Sequence, residues 1–121
     1  MSEILGWARA RPPYAYSLRR GAWYPVLQDT DSTEVVLDTS YRVVVIPKNS
    51  LQIRKHRPEH FSVVVRAPDE PNPVRGTTRD LGRMYAVCPA SRSRVAIQGR
   101  PTHLECPDCG CQFPVAWEDV C

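Results

Sequence analysis

Long apolar runs are missing from this chain of 121 residues. The longest unbroken aliphatic stretch, Val43-Val44-Val45-Ile46, is closed by Pro47. A membrane-spanning helix needs about 20 apolar residues, so no membrane insertion is expected. Arg9 and Arg11 lie near the N-terminus, with no apolar stretch of signal-peptide length beside them. The expected compartment is therefore the reducing cytoplasm. Glycine is scarce, six residues against twelve prolines, a balance that favours short strands and irregular connections over long helices. Lysine is almost absent: Lys48 and Lys55 stand beside fourteen arginines. No phosphate-cradling glycine loop and no glutamate-bearing deaminase or metalloprotease motif occurs. A non-enzymatic protein with no evident small-molecule substrate is the expectation.

What the chain does have is enough apolar material to fold, 42% hydrophobic against 24% charged residues. The formal net charge of +3 is unevenly placed. Residues 1–66 hold ten cations and six acids, residues 67–121 six and seven. This is a modest basic bias, carried mostly by arginine, the better residue for forked contacts to phosphate and for stacking on rings.

Residues 1–17 read as an N-terminal arm, in which Ile4, Leu5 and Trp7 could start a short helix that Pro12-Pro13 ends. Five short strands are expected within 18–66. They are Ala22–Gln28, Glu34–Asp38, Tyr41–Ile46, Leu51–Arg54 and Phe61–Val63, separated by turn-rich residues such as Asp29–Ser32 and Thr39-Ser40. Five strands in so short a segment suit a small closed β-barrel, because closure removes exposed edges. With Trp23 and Tyr24 early in the first strand, the layout is similar to Tudor-like and KOW-like small barrels. Residues 67–79, with Pro68, Pro71 and Pro73, read as a proline-rich linker, and residues 80–121 as a second domain.

Four of the five cysteines fall between Cys88 and Cys111, and the fifth is Cys121. In a reducing compartment such a cluster reads as metal binding before disulfide. Cys106-Pro107-Asp108-Cys109-Gly110 places two thiols three positions apart on a tight turn, with glycine where a positive φ is often needed. Cys88-Pro89-Ala90-Ser91-Arg92 repeats the pattern with serine in place of the second cysteine and arginine in place of glycine. The two segments resemble the paired knuckles of a zinc ribbon, the first of them degenerate. The resemblance implies an antiparallel sheet and one zinc ion. The expected ligands are Cys88, Cys106, Cys109 and, as the nearest further thiol, Cys111; His103 and Cys121 are the other candidates for the fourth position. Two alternatives stay open. One is a metal-free relic packed by Tyr85, Val95, Ile97, Phe113 and Trp117. The other is a thiol-redox switch using Cys109, Cys111 and Cys121.

Arg19, Arg20, Trp23, Tyr24, Arg54 and Arg57 interleave cations with aromatics, a mixture that can hold phosphates and stack bases. Ribbons and small barrels recur in transcription and translation machinery, and the resemblance implies a mostly β adaptor contacting nucleic acid or a nucleic-acid-handling protein complex. An accessory subunit of a larger assembly is the rival expectation.

Overall fold

The computed structural model of the chain describes residues 4–12, 14, 16, 18–29, 33–65 and 84–121. Ten strands and one short 3-10 turn make up its regular structure, with no α-helix among the described residues. Among the described residues no helix is therefore long and apolar enough to cross a membrane. The protein is mostly β, and it divides into two units, residues 1–58 and 59–121. The proline-rich segment 67–79 lies outside the described residues.

The first unit is a five-stranded antiparallel sheet. Its strands are β1 (Gly6–Ala10), β2 (Tyr24–Asp29), β3 (Glu34–Asp38), β4 (Val43–Pro47) and β5 (Leu51–Arg54), in the order β4-β3-β2-β1-β5. The two end strands, β4 and β5, are joined by the 3-10 turn Lys48–Ser50. The β3–β4 hairpin closes as its composition suggests. Thr39 N–H donates to Arg42 O at 3.0 Å, Ser40 N–H donates to Asp38 Oδ1 at 2.8 Å, and Ser40 takes a φ of 74°. Serine side chains and short acidic ones suit such positions by bonding their own backbone.

Five strands are present, but not the expected five. Residues 6–10, read as an arm with a helical start, form β1 in the interior of the sheet. Trp7 stands opposite Pro25 of β2 and Arg54 of β5, and Ala8 opposite Tyr24 and Ile53. The segment Gly-Trp-Ala-Arg-Ala has low intrinsic strand preference; two neighbouring strands supply the pairing that propensity lacks. Small residues are needed there. A Cβ on Gly6 would lie 2.8 Å from the Arg54 carbonyl oxygen, so β1 and β5 approach too closely for any side chain. Ala8 is fully buried. The core of the unit gathers Trp23, Val26, Val35, Leu37, Ile46 and Leu51.

The expected fifth strand belongs instead to the second unit, as β6 (Phe61–Val65), beside β7 (Met84–Val87), β8 (Arg94–Ala96), β9 (His103–Glu105) and β10 (Gln112–Val120). The order is β8-β7-β6-β10-β9. The β7–β8 and β9–β10 pairs are antiparallel hairpins, whereas β10 runs parallel to β6. This sheet is therefore mixed rather than purely antiparallel. β10 serves two partners in succession: residues 112–114 pair with β9, and from Val115 onward the strand moves to β6. Cys121 ends the ladder, its N–H donating to Val63 O at 2.7 Å and its O accepting from Val65 N–H at 3.4 Å.

Alternation along β6 and β7 sends Phe61, Val63 and Ala86 to one face, where they pack with Cys88, Val95, Cys106 and Val115. Ile97, Leu104, Phe113 and Trp117 close over this cluster. Phe61 and Phe113 meet edge to face at 6.0 Å, and Trp117 Nε1–H donates to Pro101 O at 2.8 Å. Tyr85 is also buried but lies on the opposite face of β7 from Ala86. Two of the cysteines are thus part of the apolar core, which fixes the turns that carry them.

Candidate metal centre

Both Cys-Pro segments are hairpin turns, Cys88–Ser93 leading from β7 to β8 and Cys106–Cys111 from β9 to β10, and their hydrogen bonds match one for one. In the first, Cys88 N–H donates to Ser93 O and Arg92 N–H donates to Cys88 O, both at 2.9 Å. In the second, Cys106 N–H donates to Cys111 O at 2.9 Å and Gly110 N–H to Cys106 O at 2.8 Å. Each turn has a left-handed residue at its fifth position, Arg92 with φ 63° and Gly110 with φ 75°. Glycine takes that conformation freely; arginine does so at a cost of about 1–2 kcal/mol. Cys88 therefore corresponds to Cys106, Ser91 to Cys109, and Ser93 to Cys111.

The two turns bring Cys88, Cys106 and Cys109 together, with their Sγ atoms all within 4.8 Å of one another. Cys88 Sγ and Cys109 Sγ are 3.8 Å apart. Two thiolates bound to one tetrahedral ion at about 2.3 Å stand about 3.8 Å from each other, so the spacing fits a shared metal. Cys88 and Cys106 are buried and Cys109 is exposed, which leaves the cluster open to solvent on one side. Three converging thiols of this spacing could hold a metal ion.

The protonation preferences of the thiols differ with their surroundings. Burial pushes the Cys88 thiol up, partly offset by a hydrogen bond from the Ser91 side chain and by N–H donation from Ser91 and Ala90. Backbone N–H donation from Cys111 lowers Cys109 to about 7, despite some desolvation. Cys111 is raised, chiefly by its hydrogen bond with Cys109. The turn backbone thus stabilises negative charge on Cys109 at the expense of its neighbour.

Cys111 itself is not one of the three converging thiols. Its Sγ turns back toward Cys109 O at 3.9 Å, from the last residue of the turn before β10 begins at Gln112. His103 is exposed on β9 with Nδ1 against Thr102 Oγ1, and Cys121 is tied by its backbone to β6; neither reaches the cluster. The residue nearest to the vacant corner of the expected set is Ser91, whose Oγ lies 3.3 Å from Cys106 Sγ. Its signal in the sequence is the unchanged Cys-Pro-x-Ser spacing of residues 88–91.

In the first unit the predicted aromatic and basic residues are placed differently from an open stacking platform. Trp23 is fully buried and Tyr24 nearly so, with the Tyr24 hydroxyl accepting from Arg19 N–H at 2.8 Å. The Trp23 ring carries the Arg9 guanidinium at 4.6 Å and that of Arg54 at 5.9 Å. Arg20 lies over Tyr14 at 4.7 Å and Arg57 over Trp7 at 5.9 Å. The cations therefore cover the protein's own rings, an arrangement worth about 0.5–2 kcal/mol per pair. Neither Trp23 nor Tyr24 offers a base a free face. Elsewhere in the second unit, His60, in the bend before β6, is half-buried against Asp119 at 3.3 Å.

No family model, curated protein or solved structure matches the chain.

Proposed function

We propose that the protein is a small non-enzymatic adaptor whose second unit is a zinc-ribbon-like domain braced by one zinc ion and whose partner is a protein of a nucleic-acid-handling assembly. The observation that carries the metal half of this reading is the equivalence of the two turns, which aims three thiols at one point. Zinc suits such a site because it accepts tetrahedral thiolate ligands and has no redox chemistry of its own. A sheet of this size gains much from a staple: three of its strands have only three or four residues.

The partner half is favoured by what the first unit exposes. Tyr41 is 97% exposed, and Val43 and Val45 are more than half exposed on the edge strand β4. Apolar side chains beside open strand backbone fit a protein partner better than nucleic acid. With Trp23 and Tyr24 buried, nucleic-acid contact would rest chiefly on arginine–phosphate pairing.

Native mass spectrometry before and after chelation tests the metal reading, with one zinc per chain as the expected count and metal-free Cys109→Ala as the control. A metal-free wild type purified with zinc present would overturn it. Binding to generic single-stranded nucleic acid at low and high salt tests the partner reading. Weak binding that vanishes with added salt is expected, and tight, salt-resistant binding would reverse the choice of partner.

A further inference from the structure

We propose that Ser91 supplies the fourth donor of the metal centre through its hydroxyl oxygen, giving a Cys88/Ser91/Cys106/Cys109 site from which Cys111 is excluded. The inference rests on the zinc reading above and adds to it the identity of the fourth ligand.

Position is the first argument. Ser91 stands in the first turn where Cys109 stands in the second, and the hydrogen bonds that shape the two turns are the same. The support of the donor atom is the second argument. Ser93 N–H donates to Ser91 Oγ at 3.3 Å, as Cys111 N–H donates to Cys109 Sγ. Each turn thus aims the amide two residues on at its second ligand atom, whether sulfur or oxygen. Distance is the third. A thiolate at about 2.3 Å and an oxygen at about 2.1 Å from a tetrahedral ion are about 3.6 Å apart. Ser91 Oγ stands 3.3 Å from Cys106 Sγ, so the gap closes with a shift of a few tenths of an ångström. Ser93 Oγ, 3.0 Å from Ser91 Oγ, can accept the hydroxyl proton while the oxygen lone pair faces the ion.

A neutral hydroxyl in place of a fourth thiolate changes what the site is. Three thiolates around a divalent ion leave a net charge of −1 rather than −2, and the oxygen is the weakest of the four donors. The ion is then held less tightly than by four cysteines, and the corner that opens first on ligand exchange is the one at Ser91, on the rim where Cys109 is exposed.

Cobalt(II) titration of the full-length chain separates the possibilities, since charge-transfer intensity counts thiolates and the visible bands report tetrahedral geometry. Wild type is expected to show three thiolates in a four-coordinate site. Ser91→Cys should raise the charge-transfer band by about one third and strengthen resistance to a competing chelator by about tenfold or more. Ser91→Ala should keep three thiolates, shift the visible bands and lose metal about tenfold more readily. Cys111→Ser should change neither spectrum nor affinity. A one-quarter loss of charge-transfer intensity in Cys111→Ser, from four thiolates to three, would overturn the assignment, as would Ser91→Ala with wild-type bands and affinity. In both cases the zinc reading survives. A wild type that binds no cobalt overturns both readings together, and is recognised by the absence of any thiolate band.

Discussion

At the scale of single residues, the same side-chain chemistry takes on opposite meanings according to burial. Trp23 beside Arg19 and Arg20 has the composition of a base-stacking platform, yet its ring is fully enclosed and flanked by Arg9 and Arg54. Trp23→Ala should therefore cost about 3–5 kcal/mol in urea unfolding, as a large core truncation. Arg54→Ala should cost only about 0.5–1 kcal/mol, the worth of a cation–π contact at an exposed position. An exposed platform would give a near-neutral Trp23→Ala instead. Cys109 offers a second residue-scale test. In the metal-free protein its thiol ionises at about 7, against an ordinary value of 9.0, because the Cys111 amide favours the thiolate. Alkylation mapped by mass spectrometry should rise through a midpoint near that pH at Cys109, well before Cys88, whose thiol is raised. Since the folded value is the depressed one, this thiolate favours the folded state most fully above pH 9 and that contribution is lost as pH falls through about 7. Bound zinc should abolish the alkylation altogether.

At the scale of elements, pairing partners matter more than local preference. β1 is built from Gly-Trp-Ala-Arg-Ala and is held between β2 and β5. Its closeness to β5 depends on the missing side chain of Gly6, where a Cβ would lie 2.8 Å from the Arg54 carbonyl oxygen. Because the obstructing atom belongs to backbone, Gly6→Ala should destabilise the first unit by about 1–3 kcal/mol, as overpacking does. Thermal unfolding followed by tryptophan fluorescence would measure it; a change below about 0.5 kcal/mol would mean that the β1–β5 contact is looser than described. The two cysteine-bearing hairpins show the converse. Their turns carry their own instructions, a Cys-Pro start and a left-handed fifth residue, and they form the same hydrogen bonds although one lacks both the second cysteine and the glycine.

At the scale of the whole molecule, the chain holds two sheets of different construction, one antiparallel throughout and one with β10 parallel to β6. Only the second contains converging thiols among the described residues. Chelation at neutral pH should therefore loosen residues 84–121 and leave 33–58 largely protected in hydrogen exchange. A metal present at a thousandfold excess over its dissociation constant stabilises the folded state by about 4 kcal/mol, enough to decide whether a small unit stays folded. Equal protection of residues 84–121 with and without chelator would show that the apolar cluster around Phe61 and Val115 suffices by itself.

Much of the second unit's site was legible from the sequence, because a knuckle is a local object. The spacing of Cys106 and Cys109, the matching spacing of Cys88 and Ser91, and the turn residues between them act within a few positions of the chain. The strand-rich character was equally legible, since period-two alternation and frequent proline act residue by residue. What tertiary structure alone decided were the long-range partnerships. Nothing within residues 6–10 states that two other strands will enclose them. Phe61–Val65 reads the same whether it closes the first sheet or opens the second, since strand pairing depends on partners far away in the chain. The same reason separates Ser91 from Cys111. By element type cysteine is the better ligand, but the position of a donor atom is set by its place in the turn: Ser91 Oγ stands 3.3 Å from Cys106 Sγ, whereas Cys111 Sγ turns back toward Cys109 O.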